Sequence, residues 1–211
     1  MDNNTNIDDL KHIRKLMERS SKFLSLSGFS GIAAGVIALI GATIAYFIVF
    51  RQGEVKYDEH IRALGGVSTM SIRLQMAALA LSVLVCAVGA AWYFSLRKAK
   101  RTGVRLWTST ARRTLYHFLI PLATGGIFCI ALIMNNNIHL LAAAMLIFYG
   151  LALVNSGKFT FEEVHYLGLS EIALGVFAGF FLHYGLLFWA VGFGVLHIVY
   201  GIRMYNKYDR Q

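Results

Sequence analysis

Glu171 is the one acidic side chain inside the long apolar stretches of this 211-residue chain. A carboxylate at membrane depth costs several kcal/mol unless it is neutral, paired or hydrated. At about 1.5 Å per residue, Glu171 lies about 10 Å and His197 about 8 Å along two adjoining antiparallel helices from the same surface. We therefore predict that the two side chains meet, and that Glu171 is at least partly protonated near pH 7.

Three further polar side chains, Tyr200, Asn155 and His117, belong to the same half of the predicted helices. Together with Glu171 and His197 they form a candidate intramembrane polar cluster. The cluster has two interpretations: a structural clasp that fixes helix packing, or a site that binds a proton or a ligand. The sequence alone leaves both open.

Four histidines lie near predicted helix ends, and they raise a third interpretation, bis-imidazole haem binding: His117, His139, His183 and His197. Haem would need facing histidines separated by a wide apolar gap. The chain has no nucleophile elbow, phosphate-binding loop or metalloprotease helix. We therefore predict a protein that is not an enzyme, with no metal site and no cofactor.

The elements that must position this cluster are membrane-spanning helices. The chain is 57% hydrophobic and 15% charged, with a mean hydropathy of +0.58. A helix that spans the hydrocarbon core needs roughly 20 apolar residues. The runs that qualify are 24–50, 74–96, 114–134, 138–154, 164–182 and 186–202. The predicted fold is an all-α, polytopic transmembrane bundle of about six spans, with four spans as the alternative.

The distribution of Lys and Arg predicts the orientation. Residues 97–113 contain seven Lys or Arg and no acid, so this segment is expected in the cytoplasm. By alternation, both termini are cytoplasmic. The net charge of +9 is then explained by topology and by contact with anionic lipid headgroups, and no nucleic-acid partner is expected.

Residues 1–22 form a separate element, a basic arm with apolar residues at helical spacing. We predict a short amphipathic helix that lies on the inner leaflet or docks a cytoplasmic partner. Residues 23–211 form the transmembrane domain.

Two short patterns predict local contacts. Gly31 and Gly35 form a small-xxx-small step, which predicts close packing against another helix of the chain or, as a weaker interpretation, of a homo-oligomer. Thr160 and Glu163 form a capping-box pattern, so the fifth helix is expected to begin near Phe161.

A weak internal repeat joins the hairpins 114–154 and 164–202. The matched residues are Tyr149, Gly150, Leu151 and Asn155 in the first, and Tyr200, Gly201, Ile202 and Asn206 in the second. This pattern predicts a parallel repeat of the kind found in some transport folds.

Three stretches, 17–35 (MERSSKFLSLSGFSGIAAG), 149–175 (YGLALVNSGKFTFEEVHYLGLSEIALG) and 189–209 (WAVGFGVLHIVYGIRMYNKYD), carry a resemblance to a known family. The chain resembles a family of uncharacterised bacterial multi-pass membrane proteins over most of its length. The resemblance implies location in a bacterial inner membrane. It brings no activity, cofactor or catalytic residue with it.

These patterns favour a non-enzymatic accessory or regulatory inner-membrane protein. Its basic inner face would meet lipid headgroups or a cytoplasmic protein, and a homo-oligomer is compatible with it. The alternative is a small transporter or channel component in which Glu171 is the titrating group, and the third hypothesis is a haem-binding membrane protein.

Overall fold

The computed structural model describes residues 27–50, 67–103 and 107–210. The predicted amphipathic arm, residues 1–22, lies outside this range, as does the larger part of the loop after the first predicted span.

The described segments are helical and contain no β-strand. The helices are α1 (Gly28–Phe50), α2 (Val67–Thr102), α3 (Ser109–Met134), α4 (Leu141–Gly157), α5 (Glu162–Phe180) and a C-terminal helix (Leu182–Asp209). Two short 3₁₀ turns, Ile138–Leu140 and Leu182–Tyr184, precede α4 and begin the C-terminal helix. The predicted all-α class is confirmed for this part of the chain.

The C-terminal helix is not uniform. It has π-helical segments at Ala190–Leu196 and Tyr205–Asp209, with α-helix at Gly185–Trp189 and His197–Met204. A π segment places an extra residue in the turn and shifts every subsequent side chain around the axis. The direction of His197 therefore depends on the segment just before it.

Five helical segments are long and apolar enough to cross a membrane: α1, α2, α3, residues 138–157 and the C-terminal helix. By the same criterion α5 is not among them, because Glu162, Glu163, His165 and Glu171 reduce its hydropathy. Each of the six predicted runs nevertheless coincides with a helix. The observed limits differ most at α2, which extends from Val67 to Thr102.

The helices pack side by side in the order α2, α1, C-terminal helix, α5, α4 and α3. The most extensive contact is between α4 and α5, which are joined by a short turn. The 3₁₀ turns Ile138–Leu140 and Leu182–Tyr184 touch each other, so both lie at one end of the bundle. The starts of α1 and α5 lie at the opposite end, where the last residues of the C-terminal helix contact both.

The outer surface of the described helices is apolar. None of the residues in the most hydrophobic window of α2 is buried, and Leu81, Leu84, Val85 and Val88 are all exposed. An apolar surface of this extent is far larger than soluble monomers expose. The core, in contrast, is built mainly from small residues and a few large ones such as Leu146 and Met204.

The predicted capping box at the start of α5 is wrong. Phe161, with an extended backbone, is the N-cap residue, and its side chain makes no capping hydrogen bond. Thr160 therefore lies one residue before the cap. Its hydroxyl is buried without a hydrogen-bond partner among the described residues. Glu163 does not complete the box either, because its carboxylate accepts from Lys207.

Candidate functional site

The structure brings Glu171 and His197 together. Glu171 is fully buried on α5, and His197, which is 6% exposed, faces it from the C-terminal helix. The Nδ1 atom of His197 lies 3.4 Å from Oε1 of Glu171. The depths counted along the sequence place the two residues at the same level, and their rotation on the helices turns them toward each other.

The surroundings of His197 select one tautomer. Nδ1 lies 3.1 Å from the carbonyl oxygen of Gly192, and Nε2 lies 2.8 Å from the hydroxyl of Tyr149. Because a carbonyl can only accept, Nδ1 carries the hydrogen in the neutral ring. Nε2 then accepts from the Tyr149 hydroxyl. Both ring nitrogens are thus already bonded to the protein.

The carboxyl group of Glu171 is close to His197 but is not hydrogen-bonded. The 3.4 Å separation satisfies an ion-pair distance, yet within the described part of the chain neither oxygen of Glu171 has a hydrogen-bond partner. The Nδ1 hydrogen is directed to Gly192 instead. Burying a carboxyl in this way is costly, whether or not it is charged. The carboxyl therefore has unused capacity to bind a proton or a donor.

The π segment Ala190–Leu196 shapes the site. The carbonyl of Gly192, within this segment, accepts from Nδ1 of His197, five residues later in the chain. Gly192 is also needed for space, because a β-carbon at this position would lie 2.5 Å from Oε2 of Glu171. Single-turn π bulges occur frequently at functional sites.

Aromatic rings enclose the site. The ring of Tyr149 lies 5.4 Å from that of His197 between centroids, and Phe193 stacks on His197 at 6.0 Å. Trp189 packs on Phe193 at 5.1 Å. The enclosure lowers the local dielectric, which strengthens any charge interaction between Glu171 and His197.

Tyr149 was missed as a site residue by the sequence analysis. The available signal was its correspondence to Tyr200 in the internal repeat, but that signal carries no information on contacts. Gly192 was also missed, although the Gly-Phe-Gly run at residues 192–194 is unusual in a helix.

The other predicted members of the cluster lie elsewhere. Asn155 donates to the carbonyl of His117 at 3.0 Å, which joins α4 to α3, and the His117 ring stacks on Phe159 at 5.0 Å. Tyr200 packs against an apolar cluster that includes Met204. These residues therefore serve helix packing, and only the Glu171–His197 part of the proposed cluster is assembled.

Gly31 and Gly35 face the C-terminal helix. A β-carbon at Gly31 would lie 3.0 Å from the Cα atom of Gly201, and one at Gly35 would lie 2.6 Å from the carbonyl oxygen of Gly194. A larger residue at Gly35 would force the helices apart, and one at Gly31 would require the neighbouring helix to give way slightly. Both glycines are thus used for packing within the chain.

A set of charged contacts closes the end where α1 begins. The carboxylate of Asp209 lies 2.7 Å from the Lys98 ammonium, and it accepts from the backbone nitrogen of Gly28 at 2.8 Å and from the Ser27 hydroxyl at 3.2 Å. Asp209 thereby ties α1 and α2 to the C-terminal helix. A carboxylate at a helix N-terminus also has a favourable interaction with the helix dipole.

A second contact at this end joins α5 to the C-terminal helix. The Lys207 ammonium donates to Glu163 at 2.5 Å, and the Tyr208 hydroxyl donates to the same carboxylate at 3.2 Å. Partial burial alone would raise the pKa of Glu163, but the bonds from Lys207 and Tyr208 outweigh it and hold that pKa below its usual range. Sequence analysis did not find either contact, since both link residues far apart in the chain.

No family model, curated protein or solved structure matches the chain. Its class is therefore defined by the described residues: an all-helical protein with five segments long and apolar enough to cross a membrane, and a buried Glu–His–Tyr site between its helices. Among those residues, no group of three or more His, Cys, Asp or Glu is placed to hold a metal ion.

Proposed function

We propose that this chain is a non-enzymatic accessory or regulatory protein of a bacterial inner membrane, in which Glu171 and His197 form a proton-binding pair. It would cross the membrane six times with both termini in the cytoplasm. The observation that carries the proposal is the fully buried Glu171 carboxyl, 3.4 Å from His197 at the contact between two helices.

The apolar exterior supports insertion in a membrane. Five helical segments meet the length and hydropathy expected of a span, and their exposed faces are apolar. Although α5 is less apolar, it packs against both α4 and the C-terminal helix, so its glutamate has protein on the side facing His197. The basic segment that begins at Arg97 favours the cytoplasm for the end that contains Asp209 and Lys207.

The chemistry of the pair supports a regulatory role. With one proton between them, Glu171 and His197 have zero net charge, either as two neutral groups or as an ion pair. Gain or loss of a proton leaves one net charge in a dry, aromatic environment. That buried charge is stabilised only if the helices move or if water enters the site. Occupancy of the pair by a proton is therefore coupled to helix packing.

The transporter or channel hypothesis is the second candidate, and one observation favours it. A purely structural clasp would be expected to satisfy its buried polar atoms, whereas both oxygens of Glu171 lack a hydrogen-bond partner among the described residues. A transported proton or cation would find these oxygens available. Haem binding receives no such support, because both nitrogens of His197 are bonded to Gly192 and Tyr149.

Partners are expected at the basic cytoplasmic face. Anionic headgroups would bind the Lys and Arg of residues 97–113, and a cytoplasmic protein or a second copy of the chain is the alternative partner. None of these interactions requires a residue of the buried pair. Partner binding and proton binding can thus be examined separately.

Infrared spectroscopy of the reconstituted protein tests the proton site. A buried, protonated carboxyl has a C=O stretch that is separate from the bands of carboxylates, and we expect one such band to change with pH in the wild type. Glu171→Gln should remove it, whereas Glu162→Gln, at an exposed position of the same helix, should not. A band unaffected by Glu171→Gln would refute the proposal.

Proton flux into vesicles separates the two candidates. A regulatory protein should give no flux above empty vesicles when a pH gradient is applied. A transporter or channel component would give flux that Glu171→Gln abolishes and Glu162→Gln preserves. Such flux would replace the leading proposal with the second.

A further inference from the structure

Two helix pairs of this protein pack in the same way. One pair, which we call unit A, is α1 with the C-terminal helix, and the other, unit B, is α5 with α4. Residues of α1 match residues of α5 at a constant offset: Gly28, Ser30, Ile32, Ala33, Gly35, Val36 and Ala38 correspond to Gly168, Ser170, Ile172, Ala173, Gly175, Val176 and Ala178. The match between α4 and the C-terminal helix is the repeat that contains Tyr149 and Tyr200.

The contacts at Gly201 in unit A and Gly150 in unit B are equivalent. A β-carbon at Gly201 would lie 2.6 Å from the Gly28 oxygen and 2.8 Å from Cγ1 of Ile32. A β-carbon at Gly150 would lie 2.6 Å from the oxygen of Gly168 and 2.7 Å from Cγ1 of Ile172. In both units the glycine therefore faces a glycine and the isoleucine one turn later.

The same register continues two turns further along. A β-carbon at Gly35 would lie 2.6 Å from Cγ1 of Ile198, and one at Gly175 would lie 2.7 Å from Cγ1 of Ile147. Ile198 and Ile147 are separated by the same offset as Gly201 and Gly150. Glycine is common in membrane helices, but agreement of both partners at two levels is not expected from composition alone.

The repeated unit differs from the hairpins that the sequence predicted. The correspondence between α4 and the C-terminal helix holds, but the helix packed against α4 through its glycine is α5, and the helix packed against the C-terminal helix is α1. In unit B the two helices are consecutive, whereas in unit A they come from opposite ends of the chain.

The two units differ at the polar site. Glu171 of unit B corresponds to Gly31 of unit A, and His197 of unit A corresponds to Leu146 of unit B. Each unit thus contributes one polar residue that its counterpart lacks, and the two meet where the units touch. The polar pair is therefore specific to the boundary rather than part of the repeated packing.

From this arrangement we infer that units A and B move against each other as rigid bodies, and that the contacts of His197 with Glu171 and Tyr149, together with Glu163–Lys207, hold them in the observed position. The inference rests on the proposed proton-binding pair and deepens it. Inside each unit, the backbones of the two helices are in direct contact at glycines, whereas Gly192 at the boundary faces only side chains, among them Glu171 and Leu146. Between the units, α5 packs far less extensively on the C-terminal helix than on α4.

The titratable groups at the boundary are few. His197 on the C-terminal helix and Tyr149 on α4 lie beside Glu171, while Lys207 and Tyr208 face Glu163 at the end of the bundle. The Asp209 contacts with Lys98, Ser27 and Gly28 join the C-terminal helix to α1 and α2, and Lys98 also lies 5.7 Å from the centroid of the Phe161 ring at the start of α5. A proton at Glu171 or His197 thus acts on one contact surface.

Spin-label distance measurements test the inference in the full chain reconstituted in lipid. Native Cys86 and Cys129 are first replaced by serine, and labels are attached at exposed positions. Leu169 and Val199 report on the boundary, and Leu169 and Leu151 report on the interior of unit B. Between pH about 5.5 and about 8.5, the boundary distance should shift by about 2 Å or more, and the distance inside unit B should stay constant. Glu171→Gln should abolish the boundary shift.

Two outcomes would overturn the inference. One is a boundary distance that stays fixed at both pH values while the infrared band of Glu171 titrates; the proton site would then stand without the motion. The other is an equal shift inside unit B. A second boundary pair, Phe177 and Val195, is used if the first labels lower the melting temperature. An infrared band that persists in Glu171→Gln would instead refute the proposed function itself.

Discussion

The carboxylate of Asp209 lies 2.8 Å from the backbone nitrogen of Gly28, so the end of the C-terminal helix caps the first turn of α1. The same carboxylate binds the Lys98 ammonium of α2 at 2.7 Å. One side chain near the end of the chain therefore holds three helices together. These polar contacts hold the two helices of unit A together at the end opposite the 3₁₀ turns.

Replacement of Asp209 by alanine should lower the free energy of unfolding. Loss of an N-terminal cap costs about 1 kcal/mol, and the loss of an acceptor for the partly buried Lys98 adds to that cost. Thermal unfolding in detergent measures the change. Arg210→Gln, at an exposed neighbouring position, is the control and should have no effect. Equal melting temperatures for Asp209→Ala and the wild type would contradict the capping role.

Replacement of Gly35 by isoleucine should destabilise unit A, because even a β-carbon would lie 2.6 Å from the Gly194 oxygen. Overpacking of this kind typically costs about 1–3 kcal/mol. Gly175→Ile should have a similar effect on unit B. Gly126 is the matched control, since a β-carbon there meets no atom within 4 Å among the described residues. A melting curve and oligomer size unchanged by Gly35→Ile would count against the packing role.

Replacement of Gly192 by alanine should disrupt the polar site, because the new methyl group would lie 2.5 Å from Oε2 of Glu171. We expect a loss of about 2 kcal/mol, since Leu146 also contacts this position. In a double-mutant cycle, Glu171→Ala should partly restore stability to Gly192→Ala by removing the oxygen that clashes. Strictly additive effects of the two substitutions would show that Gly192 does not make room for the carboxyl.

The Glu163–Lys207 contact should make the free energy of unfolding fall at acidic pH. The pKa of Glu163 is held below the value of about 4.5 for an unperturbed glutamate. The contact therefore contributes fully to the free energy of unfolding above pH about 4.5, and this contribution is lost as the pH falls through the pKa of Glu163 in the folded protein. Glu163→Gln should therefore reduce the fall in melting temperature below about pH 4.5. Glu162→Gln serves as the control, because Glu162 is exposed. Identical acid profiles for the wild type and Glu163→Gln would exclude this contribution.

Reporter fusions test the orientation. Fusions after Asn136 and after Arg101 should give opposite sidedness, because α3 lies between them. The basic residues near Arg101 predict that this point is cytoplasmic. Equal sidedness at the two points would refute the six-span topology.

The helices themselves could be predicted from the sequence. Apolar runs of roughly 20 residues separated by polar turns have few alternatives to helix, so the predicted runs agree with the observed elements except at some ends. The depth of Glu171 and His197 could be counted in the same way, because the rise per residue of a helix is constant. Composition and spacing thus determined the secondary structure and the level of the polar pair.

The contacts of the site could not be predicted, because they depend on how each helix is rotated about its axis. A helix that is apolar on every side carries little information about which face packs inward. The π segment at Ala190–Leu196 turns His197 toward Tyr149 and Gly192, and no residue count reveals that turn. For the same reason, Asn155 and His117 were grouped with Glu171 by depth although they face α3 and α4.

The pairing of distant segments was also decided by tertiary structure alone. The capping pattern at Thr160 is a local signal, yet no capping box forms, and Lys207 and Tyr208 of the C-terminal helix bind the Glu163 carboxylate instead. Asp209 caps α1 across almost the whole chain. The sequence by itself determined which segments are helices and at which depth their polar residues lie, because both depend on local spacing. Only the tertiary structure decided which helices meet and which side chains face each other, because packing of apolar helices is set by the shapes of both partners.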